Sequence, residues 1–472
     1  MKIKNIITVL LVSSFLASCA PTAKVVPTET VVSASIVTSI PPTPTIISTP
    51  IVYIDGLADV PKPDDSFIKQ VINENYLTVM GVTREKVELI YAEQKSVNGQ
   101  SFVVMLDKST GVPRAIYTES TGWENLDFSL RRLTDAKNIE FGSQVVYYML
   151  TDGTYSKIVQ GNFNLFTSSG ELDFETWKSL KPDLTQTDPA LRYGKFDLSR
   201  VDKVIQFASD NNAKIQIYHL VDAVKEYKTR DYSDDLSQWI VEGNFSRDEY
   251  IAIMQNRIRQ VMENFKENYP NVPITFVVVN ETFDWNKLAG FWYDKIGVDY
   301  IDIAFDTARS INPDVKLLYN DVNIFYGGKI DDHDKAVYAL VKRLKAKGGV
   351  DGVGFQMHLE ASTAPSKELV MQYMKMYQDI GVNVYVTEFD VDMTTAKGSL
   401  DEKARLKAQI YQDMLEACLE SENCVNFAMF GFTPAVSWKP DADSHIYDEN
   451  YKPELAFYQV LKTLYNAQSR VR

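Results

Sequence analysis

The stretch VNVYVTEFDVDM (382–393) decides how the chain is read. Val382, Val384 and Val386 alternate with Asn383, Tyr385 and Thr387, and the chain then turns acidic at Glu388, Asp390 and Asp392. β-branched and aromatic residues in alternation predict a strand. Such a strand belongs inside a sheet, where an ionised carboxylate is expensive unless it is paired or used. Glu388, at the end of the apolar run, therefore needs a reason.

Working outward, seven more short apolar runs have the same character. They are FGSQVVYY (141–148), FNLFT (163–167), AKIQIYHL (213–220), ITFVVVN (274–280), VKLLYND (315–321), VGFQMHL (353–359) and VNFAMFGF (425–432). Between them lie amphipathic stretches such as SRVDKVIQFASDNN, YIDIAFDTARSIN and KELVMQYMKMYQDIG, with apolar residues three and four apart. Strands alternating with helices imply a parallel sheet, and eight units imply closure into a (β/α)8 barrel. An open doubly wound sheet would carry a glycine-rich phosphate turn after an early strand. We find none.

Barrels place their chemistry at the C-terminal ends of strands. Polar residues collect there: His219, Asn280 and Glu281, Asn320 and Asp321, Gln356 and His358, Glu388 and Asp390. Two carboxylates on one barrel face permit hydrolysis of a glycosidic bond. One protonates the leaving oxygen and the other attacks the anomeric carbon, at a separation of about 5–5.5 Å in retaining enzymes. Glu281 ends the fourth strand and Glu388 the seventh, so only a closed barrel brings them together. Asn280 suits a hydrogen bond to a sugar hydroxyl. His358 and Asp390 are placed to hold Glu388, and Trp438 to offer an apolar face to a sugar. Because one group must serve as acid and then as base, Glu281 is expected to have a raised pKa. Asp331-Asp332-His333-Asp334 reads as a solvated helix start rather than a metal site, since acids favour helix N-termini. No cofactor is implied.

The barrel portion, 126–465, resembles glycoside hydrolase family 10, the retaining endo-β-1,4-xylanases. VVVNET resembles that family's acid/base strand end and VTEFDV its nucleophile strand end. GVGFQMHL resembles the strand carrying a Gln and a His, LLYNDVN the fifth strand, and FWYDKIGVDYIDIAFDTAR the helix before it. CLESENCVNFAMFGFTPAVSW resembles the Cys pair and closing segment. The resemblance implies Glu281 as acid/base and Glu388 as nucleophile, with Asn280 and His358 beside them and Asp390 in support. It implies Gln356, His219, Trp438, Trp177 and Asn320 as substrate-binding residues. The chain also departs from the family. Asp222 falls near a usual Trp, Val322 replaces a Tyr, Phe430 a Trp and Pro434 an Asp. Xylan is the first expectation for the substrate. Another β-1,4-linked glycan or a plant β-glycoside is the second. A non-catalytic carbohydrate-binding surface protein is the third.

The remaining chain sets the context. Net charge is −14 over 472 residues, which disfavours a nucleic-acid partner, since that binding needs Lys and Arg on phosphates. Lys2, Lys4 and the apolar IITVLLVSSFL form a targeting segment too short for a comfortable membrane span. It ends in Leu16-Ala17-Ser18-Cys19, which resembles a bacterial lipobox and predicts lipidation at Cys19. Residues 20–50 carry six prolines and only Lys24 and Glu29 as charges, the composition of an extended tether. A lipid-anchored monomer outside the cytoplasm is expected. Residues 51–125 read as a small α+β module with a hairpin turning at Lys108-Ser109-Thr110-Gly111. Export permits a disulfide between Cys418 and Cys424; two buried thiols are the alternative.

Overall fold

A computed structural model describes residues 51–52, 60–96, 99–168, 172, 183–225 and 238–470. The expectations at Cys19, in 20–50 and at Trp177 lie outside the described residues.

The eight expected strands are present. They are β1 (Glu140–Gln144), β2 (Leu165–Thr167), β3 (Lys214–Ile217), β4 (Ile274–Asn280), β5 (Lys316–Asp321), β6 (Gly352–Phe355), β7 (Asn383–Asp392) and β8 (Cys424–Met429). Every neighbouring pair is parallel, and β4 pairs with β5 to close the ring. Closure follows from the pattern of the strands: buried on both faces, they can satisfy their backbone only against one another. Tyr218, Val277, Leu318 and Tyr385 fill part of the interior. Helices Ser199–Asp210, Arg247–Asn268, Tyr300–Ile311, Asp332–Ala346, Lys367–Gln378 and Leu400–Glu420 turn their apolar faces inward. Ser246 and Ser399 each close a capping box with a Glu at the third helical position, which fixes where two of these helices begin.

Four strands end short of their apolar runs, β8 among them at Met429. β1 stops at Gln144 and enters a tight turn at Tyr147–Met149. β3 stops at Ile217, and the separate pair Val221–Asp222 joins the end of β4, setting Asp222 opposite Asn280. β6 stops at Phe355, and the chain resumes at His358–Glu360 beside Asp390–Asp392. Met357 lies at φ +59° inside that break, where a residue with a side chain rarely sits.

The N-terminal residues form a five-stranded sheet whose strands follow chain order. Its hairpin pairs Ser101–Asp107 with Val112–Thr118, as expected. The sheet shares one hydrophobic core with the barrel. Arg114 anchors it. The guanidinium is fully buried, lies 3.9 Å from the Tyr76 ring centroid and 5.1 Å from that of Tyr458, and bonds Asp127 at 2.7 Å. Tyr458 belongs to the last barrel helix, Leu455–Asn466. Lys462 of that helix also donates to Thr110 O at 3.0 Å.

Cys418 and Cys424 form a disulfide. Arg470 donates to the carbonyls of Cys418 and Leu419, at 2.7 and 3.0 Å, and to that of Cys424. This loop lies at the N-terminal mouth of the barrel beside a cavity of about 1170 Å³, away from the strand ends that carry the acids.

Candidate active site

Glu281 and Glu388 are joined by a chain of amide hydrogen bonds at the C-terminal end of the barrel. Gln356 Nε2 donates to Glu281 Oε1 at 2.9 Å and to Asn280 Oδ1 at 3.3 Å. Asn320 Nδ2 donates to the same Asn280 oxygen at 2.9 Å and to Glu388 Oε1 at 2.8 Å. Thr387 Oγ1 donates to Asn320 Oδ1 at 2.8 Å, fixing which way that amide faces. Four strands thus cross-link their polar ends. A side chain at Gly354 would prevent this, because its Cβ would fall 2.1 Å from Asn320 Oδ1.

The second Glu388 oxygen faces His358, whose Nε2 is 3.3 Å away and whose Nδ1 is 2.9 Å from Asp390 Oδ1. Trp438 Nε1 donates to the other Asp390 oxygen at 2.7 Å. Burial works against charge on the imidazole, yet Asp390 and Glu388 raise the His358 pKa to about 10. His358 is therefore an imidazolium at neutral pH and donates to both carboxylates. Glu388 accepts hydrogen bonds at both oxygens and is oriented from two sides. From across the barrel, Tyr218 donates to Thr387 O at 2.6 Å and fixes the backbone just before it.

Glu281 has different surroundings. It lies at φ +54°, just past β4, the kind of strained backbone that persists where the fold over-determines it. Lys225 Nζ is 3.3 Å from its Oε2 and 3.2 Å from Phe283 O. Burial pushes the Glu281 pKa up, but the Lys225 ammonium, the Gln356 amide and His219 together push it below the usual carboxylate range. The expectation of a raised pKa is corrected for the free protein: an unforeseen cation sits on the carboxyl. Beside it, burial lifts Asp222 to about 6, against the opposing pull of His219 and the Asn280 amide. Asn280 donates to Asp222 at 2.7 Å, and His219 Nδ1 lies 3.6 Å from the same carboxyl.

Most expected site residues therefore meet: Asn280, Glu281, Gln356, His358, Glu388, Asp390 and Trp438, with His219 at the edge. Trp438 is half exposed and lies 4.9 Å from the His358 ring, so it can present a face to a ligand. Asn320, expected among the substrate-binding residues, is fully buried and bonds Asn280 and Glu388. Lys225 was not foreseen. Its signal was its place, a charged residue three positions after the Val221–Asp222 pair.

The start of helix Asp332–Ala346 differs from its reading as a solvated cluster. Asp331 caps the helix, but His333 and Asp334 are buried. His333 sets Nδ1 2.5 Å from Trp285 O and Nε2 2.8 Å from Val322 O. Two carbonyl acceptors require both nitrogens to carry protons. Despite burial, Asp321 and these carbonyls raise its pKa to about 9. His333 thus ties the loop after β4 to the loop after β5. Among the described residues, no group of His, Cys, Asp and Glu is arranged to hold a metal ion.

The family model for glycosyl hydrolase family 10 matches residues 129–463. The chain belongs to this family. The chain is 24% identical over 343 residues to endo-1,4-beta-xylanase B of Thermotoga neapolitana, covering 71% of this chain and 91% of that protein. It is 28% identical over 317 residues to endo-1,4-beta-xylanase 2 of Aureobasidium pullulans, covering 64% and 80%. Among solved structures, xylanase 10B from Thermotoga petrophila RKU-1 in complex with xylobiose superposes with a TM-score of 0.60 at 26% identity, covering 71% of this chain and 97% of that one. The family match begins just after the N-terminal sheet, whose last strand is Gly122–Asn125.

Proposed function

We infer that this family 10 protein hydrolyses β-1,4 bonds of xylan by double displacement. The observation that carries the reading is the hydrogen-bonded chain Glu281–Gln356–Asn280–Asn320–Glu388, flanked by the His358 imidazolium. Glu388, held at both oxygens, attacks the anomeric carbon and forms a glycosyl ester as the leaving oxygen departs. Glu281 gives its proton to that oxygen, then takes one from the water that cleaves the ester. His358 and Asp390 hold the nucleophile in line, and Trp438 packs on the bound sugar. Lys225 favours the base form of Glu281, suiting the second step more than the first. The relatives' xylanase activity supports xylan as the substrate. Product analysis tests it: xylo-oligosaccharides released from xylan, with little release from mixed-linkage glucan, are expected. The reverse preference would refute xylan.

Cys19 is proposed as a lipid attachment site, with 20–50 as the tether that holds a monomeric enzyme at the cell envelope. The apolar run before Leu16-Ala17-Ser18-Cys19 supports this. Cys19→Ala should move the protein from the membrane fraction to the soluble one; an unchanged distribution would refute it.

A further inference from the structure

Asp222 is a carboxylate beside the acid/base that the double displacement above does not use. Its place is set by the backbone. The pair Val221–Asp222 extends the end of β4 and puts Asp222 opposite Asn280, the residue before Glu281. One Asp222 oxygen accepts from Asn280 Nδ2 at 2.7 Å and the other from the Val224 amide at 2.9 Å. The turn that follows is strained: Val224 lies at φ +51°, where a β-branched residue is rarely found. The Phe291 N–H holds this turn by donating to Ala223 O at 2.8 Å and to Val224 O at 3.3 Å. Gly290 makes the approach possible, since a Cβ there would fall 2.3 Å from Ala223 O. Strain of this kind persists where the surroundings over-determine it. Here it brings both Asp222 and Lys225 to Glu281.

The charges that meet at this point oppose one another. Against burial, Lys225, Gln356 and His219 favour the ionised form of Glu281. Asp222 works the other way, because two close carboxylates repel. Asp321, at the end of β5, adds to that repulsion but is itself fully buried against His333 and the Tyr319 hydroxyl. Around Asp222 stand His219, Lys225, the Asn280 amide, Glu281 and, from helix Tyr300–Ile311, the Tyr300 hydroxyl. Both carboxyls are partly open to solvent: the Asp222 side chain is 32% and that of Glu281 28% exposed. Protons can therefore exchange between them.

Two carboxyls that interact this way titrate as a pair, and ionising one strengthens the other's hold on its proton. Burial, with the Glu281 charge and against His219, lifts Asp222 to about 6, so the pair keeps a proton after Lys225 has favoured ionised Glu281. We propose that Asp222 is a positioning residue that shares one proton with Glu281 and so supplies the acid form of Glu281 for the first step. The proton leaves the Asp222 carboxyl and reaches Glu281 through solvent. Glu281 gives it to the leaving oxygen, and both carboxyls are then ionised. In the second step Glu281 takes a proton from the water whose oxygen cleaves the ester, which returns the pair to one proton. This rests on the hydrolase reading above.

The test compares phenyl β-xylobioside, whose leaving oxygen needs a proton, with β-xylobiosyl fluoride, whose fluoride departs without one. On the phenyl glycoside, Asp222→Asn should move the basic limb of kcat/KM to lower pH by about one unit. Above that limb its loss should be about tenfold larger on the phenyl glycoside than on the fluoride. Asp222→Ser, uncharged and smaller, should show the same limb. Adding Lys225→Met to Asp222→Asn should bring the limb back toward wild type, since both opposing charges are then gone. In the wild type, carbon-13 NMR of the carboxyl groups should show Asp222 and Glu281 titrating in two shared steps. A limb that stays fixed or moves to higher pH, equal losses on the two substrates, or independent single-step titrations would overturn the shared proton and leave the hydrolase reading intact. A wild-type protein inactive on both substrates would refute the hydrolase reading and the proposed step with it.

Discussion

The ammonium of Lys225 lies 3.3 Å from Oε2 of Glu281, so the proposed acid/base rests against a fixed positive charge in the free protein. The acid role needs Glu281 protonated, and Lys225 lowers the pH up to which that form persists. Lys225→Met removes the ammonium and lets burial raise the pKa. The basic limb of the kcat/KM profile, which reports the free enzyme, should then move to higher pH. A pH–rate series on an aryl β-xyloside checks this. A limb that stays fixed or moves lower would show that Lys225 does not govern Glu281.

His358 should affect both activity and stability. His358→Gln loses the charged donor to Glu388 and should lower kcat by roughly 10²–10³-fold. The sign of the pH effect follows from its raised pKa of about 10. Its charge stabilises the fold fully below the unfolded value of about 6.5. That contribution is lost as pH rises toward the folded value. The melting-temperature gap between wild type and His358→Gln should therefore narrow from pH 7 to pH 10. A constant gap would contradict a charged His358.

Gly354→Ala places a methyl against Asn320 Oδ1 and so tests the amide chain without touching either acid. Overpacking of this kind costs about 1–3 kcal/mol. We expect a folded enzyme with lower kcat, because Asn320 can no longer both accept from Thr387 and donate to Glu388. Denaturant unfolding and turnover, measured together, separate the two effects.

Arg114→Met leaves Asp127 buried without its cation and should destabilise the protein by about 3–5 kcal/mol. Since Arg114 stacks between Tyr76 and Tyr458, the loss should appear as one cooperative unfolding transition including the barrel. Separate loss of the N-terminal sheet, with the barrel transition unmoved, would contradict a shared core.

The barrel was legible because each strand carries its own local signal: β7 continues the apolar alternation that starts at Val382, and β8 ends in Phe427-Ala428-Met429. The place of both carboxylates was legible because each ends such a run. Breaks within strands were not. Whether β6 stops at Phe355 depends on the φ of Met357 and on pairing with Asp390–Asp392, which are tertiary matters. Lys225 was missed for a similar reason. It lies eight residues past the end of β3, in a loop with no periodicity to place it. His333 read as part of a solvated cluster because its partners, the Trp285 and Val322 carbonyls, are backbone atoms with no signature in composition.

The central claim is that Glu388 forms a covalent bond to the sugar. A 2-deoxy-2-fluoro xylobioside with a good leaving group tests it most directly, because the fluorine slows hydrolysis of the ester once it has formed. After incubation and proteolysis, mass spectrometry should find the fluoro-sugar on the peptide containing Glu388 and on no other. Hydrolysis that continues with no trapped adduct, or an adduct on a different residue, would contradict the account.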